Sequence, residues 1–313
     1  MDLVSPVLAA SISPFSSSLF RVSRTFARLL PLVFLVYADP FDTQLAHSME
    51  VLQFSEAFKF VDGKLQFHCV KGIVRQRSVI YLAKWKKRRE KPADFSELDE
   101  AQVLQTEDRG PLIEPSWTVT TRHPDFYVKT PDLFEYAGPV EYLIRRDVEA
   151  CELLRKHPHP NIAAYHGCLE TRGRVSGLCF ERYTSTLAEK VNPEHLNKLH
   201  FVSNGRPLVD QASMRQALAG IREGIRHLHS LGLVHNDITP ANIMLKEDDT
   251  WVIIDFDSCR TVGEALRSES GGTKRTYGWH DPEVATAVEK NDLDALAELE
   301  TWLFGDSTGF LFR

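Results

Sequence analysis

One stretch constrains this chain more than any other. Between Gly220 and Ser258 an amphipathic pattern gives way to a polar loop and then to two short β-like runs. Met214, Leu218, Ile221, Ile225 and Leu228 recur at helical spacing, which predicts a helix over 212–231 with one apolar stripe, ended by Gly232. Next come Leu233-Val234-His235-Asn236-Asp237-Ile238-Thr239-Pro240-Ala241-Asn242-Ile243-Met244-Leu245, a charged turn, and Trp251-Val252-Ile253-Ile254-Asp255-Phe256-Asp257. Asn and Asp favour turns and caps, so any one of them alone reads as loop chemistry. Their joint spacing says more. Asp237 can accept a proton from a hydroxyl while Asn242 and Asp255 offer hard oxygens to a divalent ion, the combination phosphoryl transfer requires.

A His-x-Asp-x-x-x-x-Asn loop followed by Asp-Phe, with apolar runs on both sides, resembles the catalytic and metal-binding loops of the protein kinase family. The resemblance extends outward. His157-Pro158-His159-Pro160-Asn161-Ile162 is similar to the turn after that family's regulatory helix, so 142–154 reads as the helix, with Val148, Cys151 and Leu154 on its buried side. Glu149 is expected as the helix acid, with Glu152 the alternative; Lys129, ending Phe126-Tyr127-Val128-Lys129, is expected to pair with it and hold the nucleotide phosphates. Gly177 to Tyr183 is similar to the strand running into the hinge, with Phe180 as gatekeeper, Glu181 and Tyr183 beside the adenine edge, and Met244 as the apolar floor. His235 and Phe256 are implied as supports of the loops. Asp281-Pro282-Glu283 resembles Ala-Pro-Glu, and Asp292 stands where the family's central helix ties down the catalytic loop.

The resemblance implies a bilobal α+β fold, with a small β-rich N-lobe and a mostly helical C-lobe. It implies ATP and Mg2+ as cofactors and a protein Ser/Thr hydroxyl as acceptor. A pseudokinase scaffold, and a small-molecule phosphotransferase of the aminoglycoside or choline kinase kind, are the alternatives; Ile254-Asp255-Phe256-Asp257 suits the latter. Departures from the pattern are specific. No GxGxxG precedes Lys129, and Gly110 is the lone glycine of 105–123. Tyr127 replaces a small residue above the adenine, Thr239 replaces the catalytic-loop Lys, Asn236 the preceding Arg, and Asp257 the Gly of Asp-Phe-Gly.

Domain organisation follows: 1–38 a targeting-like or disordered extension, 39–109 a region of uncertain use with a basic/acidic linker, 110–184 N-lobe and hinge, 185–313 an incomplete C-lobe. Residues 1–38 combine clustered serines, Arg21, Arg24 and Arg28 with an apolar run to Ala38, so transit-peptide, secretory and plain-extension readings all stand. The run is short and broken by Pro31, so no stable membrane span is expected. Only 21 residues follow Asp292, which leads us to expect apolar central-helix surface that is exposed or covered by the N-terminal extension. A net charge of -6 argues against nucleic acid as a partner. Five scattered cysteines with no CxxC read as reduced, buried thiols, and a cytoplasmic location is expected. Oligomeric state is left open.

Overall fold

The computed structural model describes residues 49–61, 64–268 and 271–312; the readings made for 1–38 lie outside them. Two sheets occupy the first half. Strands β1 (Met49–Val61), β2 (Lys64–Gln76), β3 (Val79–Trp85) and β4 (Glu100–Val103) form an antiparallel sheet in that order. Period-two alternation puts Val70, Val74, Ala83 and Trp85 into one buried cluster, with Tyr81, Phe95 and Leu98 against it. Gly72 is needed there, because a Cβ would sit 2.3 Å from the Trp85 ring. The stretch 84–108 is largely exposed, but it carries β4 and several of its charges are paired. Its basic and acidic blocks face one another, Lys84 to Glu100 at 2.5 Å and Lys87 to Glu97 at 3.3 Å, while Arg88 reaches Glu56 at 2.8 Å. Exposed pairs of this kind contribute little to stability, because water and salt screen them.

The second sheet has the order β5-β7-β8-β6, from β5 (Val119–Thr120), β6 (Phe126–Lys129), β7 (Tyr165–Thr171) and β8 (Arg174–Glu181). Between β6 and β7 runs helix α1 (Val140–Lys156), with Glu141 in its first turn and Arg155 and Lys156 in its last, each complementing the helix dipole. Val148, Cys151 and Leu154 are buried, as the periodicity predicts.

The helical half contains β9 (Ser185–Thr186), α2 (Leu187–Val191), α3 (Lys198–Ser203), α4 (Gln211–Ser230) and α5 (Glu289–Phe304). Asp210 caps α4 by accepting from Ser213 N–H at 3.2 Å. The whole predicted stripe of α4 is buried, and Gly232 at φ +74° takes the chain out of the helix. Short strands β10 (Leu233–Val234), β11 (Ile243–Leu245), β12 (Trp251–Ile253) and β13 (Arg260–Thr261) frame the polar loops: β10 pairs with β13, and β11 lies between β12 and β9. β14 (Arg267–Ser268) and β15 (Gly271–Gly272) pair antiparallel.

The inner face of α5 is covered. Leu296, Leu299, Trp302 and Leu303 are buried, Phe201 of α3 stacks on Trp302, and Phe310 turns back into the same core. The expected bare surface reduces to single exposed side chains such as Leu293. All five cysteines are free and buried. Among the described residues no helix is long and apolar enough to cross a membrane.

Candidate active site

The polar loop after β10 is held from beneath by one buried carboxylate. Asp292, fully enclosed near the start of α5, accepts the N–H of His235 at 2.8 Å and of Asn236 at 2.7 Å, and His229 Nε2–H at 2.9 Å. Asn236 adopts φ +66°, a left-handed conformation that Asn tolerates better than most residues. Its buried amide donates to the carbonyls of Val234 and Ser258 and accepts from Asn291 Nδ2 at 2.9 Å. A neutral amide hub thus occupies the position where a charged Arg was the comparison.

The same loop is tied to β12. His235 Nε2 donates to the Ile254 carbonyl at 3.0 Å, its Nδ1 accepts from Asp237 N–H at 3.3 Å, and Ile254 N–H donates to the Asn242 carbonyl at 3.0 Å. The buried Phe256 ring meets His235 edge-on at 5.8 Å. Asp237 then points its carboxylate at two neighbours. Asn242 Nδ2 donates to Oδ2 at 2.9 Å, while Thr276 donates its N–H to Oδ1 at 2.7 Å and its hydroxyl to Oδ2 at 3.1 Å.

Asp255 directly follows Ile254 at φ +66°, and its Oδ1 accepts from Lys129 Nζ at 2.5 Å. Burial would raise this carboxyl, but the Lys129 ammonium outweighs it and holds it below the usual range. Burial likewise opposes the Lys129 charge, yet Asp147, Asp255 and Asp257 together push its pKa well above the ordinary lysine value. Asp257 is driven the other way, up to about 6, by burial and by the neighbouring carboxylates Asp255 and Asp147.

The helix partner of Lys129 is Asp147, at 2.6 Å, and this corrects the expectation of Glu149. At 100° per residue, Glu149 lies 200° round α1 from Asp147, so its side chain is 55% exposed and its ion-pair neighbour is Arg145 on the same helix. Glu152 serves elsewhere, accepting Thr118 N–H at 2.7 Å and so tying β5 to α1. Glu283 is also corrected: it is exposed and has no ion pair among the described residues, only its N–H bonding Asp281 Oδ1 at 2.9 Å.

A cavity of about 330 Å³ lies between the sheet and these loops, walled by Phe180, Glu181, Tyr183, Met244 and Ile254, with Lys129 and Asp255 at one end. That is an apolar slot with a charged end, within the range of small-molecule sites. Tyr127 stands half exposed at its edge. Among the described residues no glycine hairpin overhangs it. Gly110 packs against β8 instead, where a Cβ would be 1.9 Å from the Val175 carbonyl.

The family model for the protein kinase domain matches residues 142–302, slightly more than half of the chain. The chain belongs to the protein kinase family. Among curated relatives, the Ser/Thr-protein kinase Tao of Drosophila melanogaster is 28% identical over 152 residues, covering 49% of this chain and 13% of its own. The stress-activated protein kinase JNK of the same fly is 44% identical over 105 residues, covering 34% and 26%. The kinase/endoribonuclease IRE1 of Hypocrea jecorina is 30% identical over 141 residues, covering 42% and 11%. The chain thus spans about a tenth to a quarter of these relatives. A chain of the yeast RNA Pol II CTD kinase CTDK-1 complex is similar at 16% identity and TM-score 0.40, over 52% of this chain and 50% of its own.

In this kinase-family chain, sequence reasoning named Asp237, Asn242, Asp255, Lys129, His235, Phe256 and Asp292, and the fold brings them together. It missed Asp147, His229, Asn291 and Thr276. Only Asp147 carried a usable signal, since it shares a helical face with Ile144, Cys151 and Leu154.

Proposed function

We propose that this chain is a protein serine/threonine kinase that transfers the γ-phosphoryl group of ATP to a protein hydroxyl. The observation that carries the proposal is the relay through Ile254. His235 and Asn242 of one loop both bond its peptide groups, and the next residue, Asp255, contacts Lys129. Proton acceptor, oxygen ligands and phosphate-binding cation are therefore held in one rigid frame at the end of an apolar slot, which is the positioning that phosphoryl transfer depends on.

Within that frame Asp237 accepts the proton of the acceptor hydroxyl as it attacks, and Asn242 fixes the carboxylate rotamer through its Nδ2–H. Lys129 would meet the α- and β-phosphates of bound ATP, and Phe180 and Met244, which wall the slot, would enclose its base. Asn242 and Asp255 present an amide and a carboxylate oxygen, the hard donors Mg2+ takes from a protein when phosphates complete its shell, and the ion supplies charge neutralisation there. The ordered segment beside Asp237, pinned by Thr276 and by Arg275 donating to the Asn236 carbonyl at 3.2 Å, supports a peptide rather than a small metabolite as acceptor. Five free, buried thiols support the cytoplasm as its location.

Thermal shift and radiolabel transfer test this together. Mg-ATP is expected to stabilise the wild type and Asp237→Ala alike, with transfer to a Ser/Thr protein acceptor falling by about 10³-fold or more in the variant. Absence of any shift at millimolar Mg-ATP, or label found only on small hydroxylated metabolites, overturns the proposal.

A further inference from the structure

Beyond the apolar slot a second cavity of about 220 Å³ shares Tyr127, Lys129 and Asp255 with the first. The shared residues place it at the phosphate end of the proposed nucleotide site. Its walls carry Asp147, Asp257, Glu135 and a second cation, Lys274. Lys274 comes from the segment just before Thr276, and its main chain is fixed because its carbonyl accepts Ser258 Oγ–H at 2.5 Å. Its ammonium pairs with Glu135 and lies 3.7 Å from Asp257 Oδ2. The side chain is 52% exposed against 23% for Lys129, so its flexible stem can swing from Glu135 into the cavity.

Two sources of positive potential are otherwise missing here. Among the described residues no glycine loop offers backbone amides. Thr239, at the loop position where a cation would neutralise the moving phosphoryl group, is buried, and its hydroxyl has no hydrogen-bond partner. Lys129 is already shared between two carboxylates. A polyphosphate entering a cavity where carboxylates outnumber ammonium groups needs a further cation.

We propose that Lys274 contacts the terminal phosphates of bound ATP, supplying from the segment before Thr276 the positive charge that Thr239 does not. This rests on the kinase proposal above. On nucleotide entry Lys274 Nζ exchanges Glu135 for phosphate oxygens, and no covalent bond changes.

The test is calorimetric titration of the full chain with adenosine, Mg-ADP and Mg-ATP, alongside steady-state kinetics. Lys274→Met is expected to leave adenosine affinity within twofold, weaken Mg-ATP by about tenfold and lower kcat by about 10²-fold. Lys274→Arg restores most of the ATP affinity. Glu135→Gln, which releases the lysine without removing it, leaves ATP affinity equal or tighter. Mg-ATP binding indifferent to Lys274→Met overturns the assignment alone. So does loss of adenosine together with ATP in both Lys274→Met and Glu135→Gln, since the clasp would then be structural. Failure of the wild type to bind any nucleotide overturns the kinase proposal and this assignment with it.

Discussion

Two lysines of this kinase-family chain are gripped by carboxylates, one in the cleft and one at the foot of the helical half, and their surroundings differ. At the foot, Lys198 of α3 pairs with the fully buried Glu298 of α5, donates to the carbonyls of Gly278 (2.6 Å) and Phe312 (3.1 Å), and lies over the rings of Trp279 and Phe310. Glu298 also accepts the N–H groups of Leu311 (2.6 Å) and Phe312 (3.2 Å). This pair is saturated with partners. In the cleft, Lys129 bridges Asp147 and Asp255, but Asp255 is 34% exposed and faces an open cavity. A buried ion pair whose bonds are all satisfied within the protein is structural; one left with free acceptor capacity beside a cavity is available to a ligand.

The comparison breaks most visibly at Glu298. Replacement by Ala leaves a largely buried ammonium and two amides without their acceptor, so a destabilisation of about 3–5 kcal/mol is expected in urea or thermal melts, with Glu298→Gln, which keeps an acceptor oxygen, losing less. A loss under about 1 kcal/mol would show that the foot is not structural in this sense. In the cleft the cost should appear in rate instead. Asp147→Asn is expected to lower kcat/KM by about 10²-fold by loosening Lys129, while Glu149→Gln changes it by less than about twofold; equal effects would return the pair to Glu149.

Asp257 sharpens the contrast through pH. Its folded pKa of about 6 lies above the ordinary 3.8, so the folded chain binds more protons between those values. Its contribution to stability is therefore fully present below about pH 4 and lost as pH rises through 6. Asp257→Asn should flatten that fall, worth on the order of 2 kcal/mol, in melts recorded from pH 4 to 7. Glu283→Gln should do least, within about 0.5 kcal/mol of wild type, because the side chain is exposed and unpaired among the described residues; a larger loss in the same melts would restore a supporting role.

Much of the catalytic loop was legible because its chemistry is local. His235, Asp237 and Asn242 sit within one turn-and-strand unit, and the α4 stripe that precedes them has a period the sequence displays directly. The pairing within the charged stretch 84–108 was not legible, for the opposite reason. Neighbouring basic and acidic blocks look alike whether solvated or paired, and only strand register set Lys84 against Glu100. The segment around Thr276 is likewise fixed by distant partners, Thr276 on Asp237 and Arg275 on the Asn236 carbonyl.

By itself, then, the sequence determined the order of the chemical groups: Asp237, Asn242 and Asp255, the strand that ends in Lys129, and the helix Asp292 that anchors the loop. Those depend on short-range spacing and helical or strand periodicity, which a linear chain records. Tertiary structure alone decided which acid of α1 meets Lys129, which histidine shares Asp292, and that Lys274 lines one cavity with Lys129 and Asp255. These depend on how elements rotate and pack against one another. A shift of two residues on a helix turns a side chain through 200°, and side chains 126 residues apart meet only when the whole core closes around them.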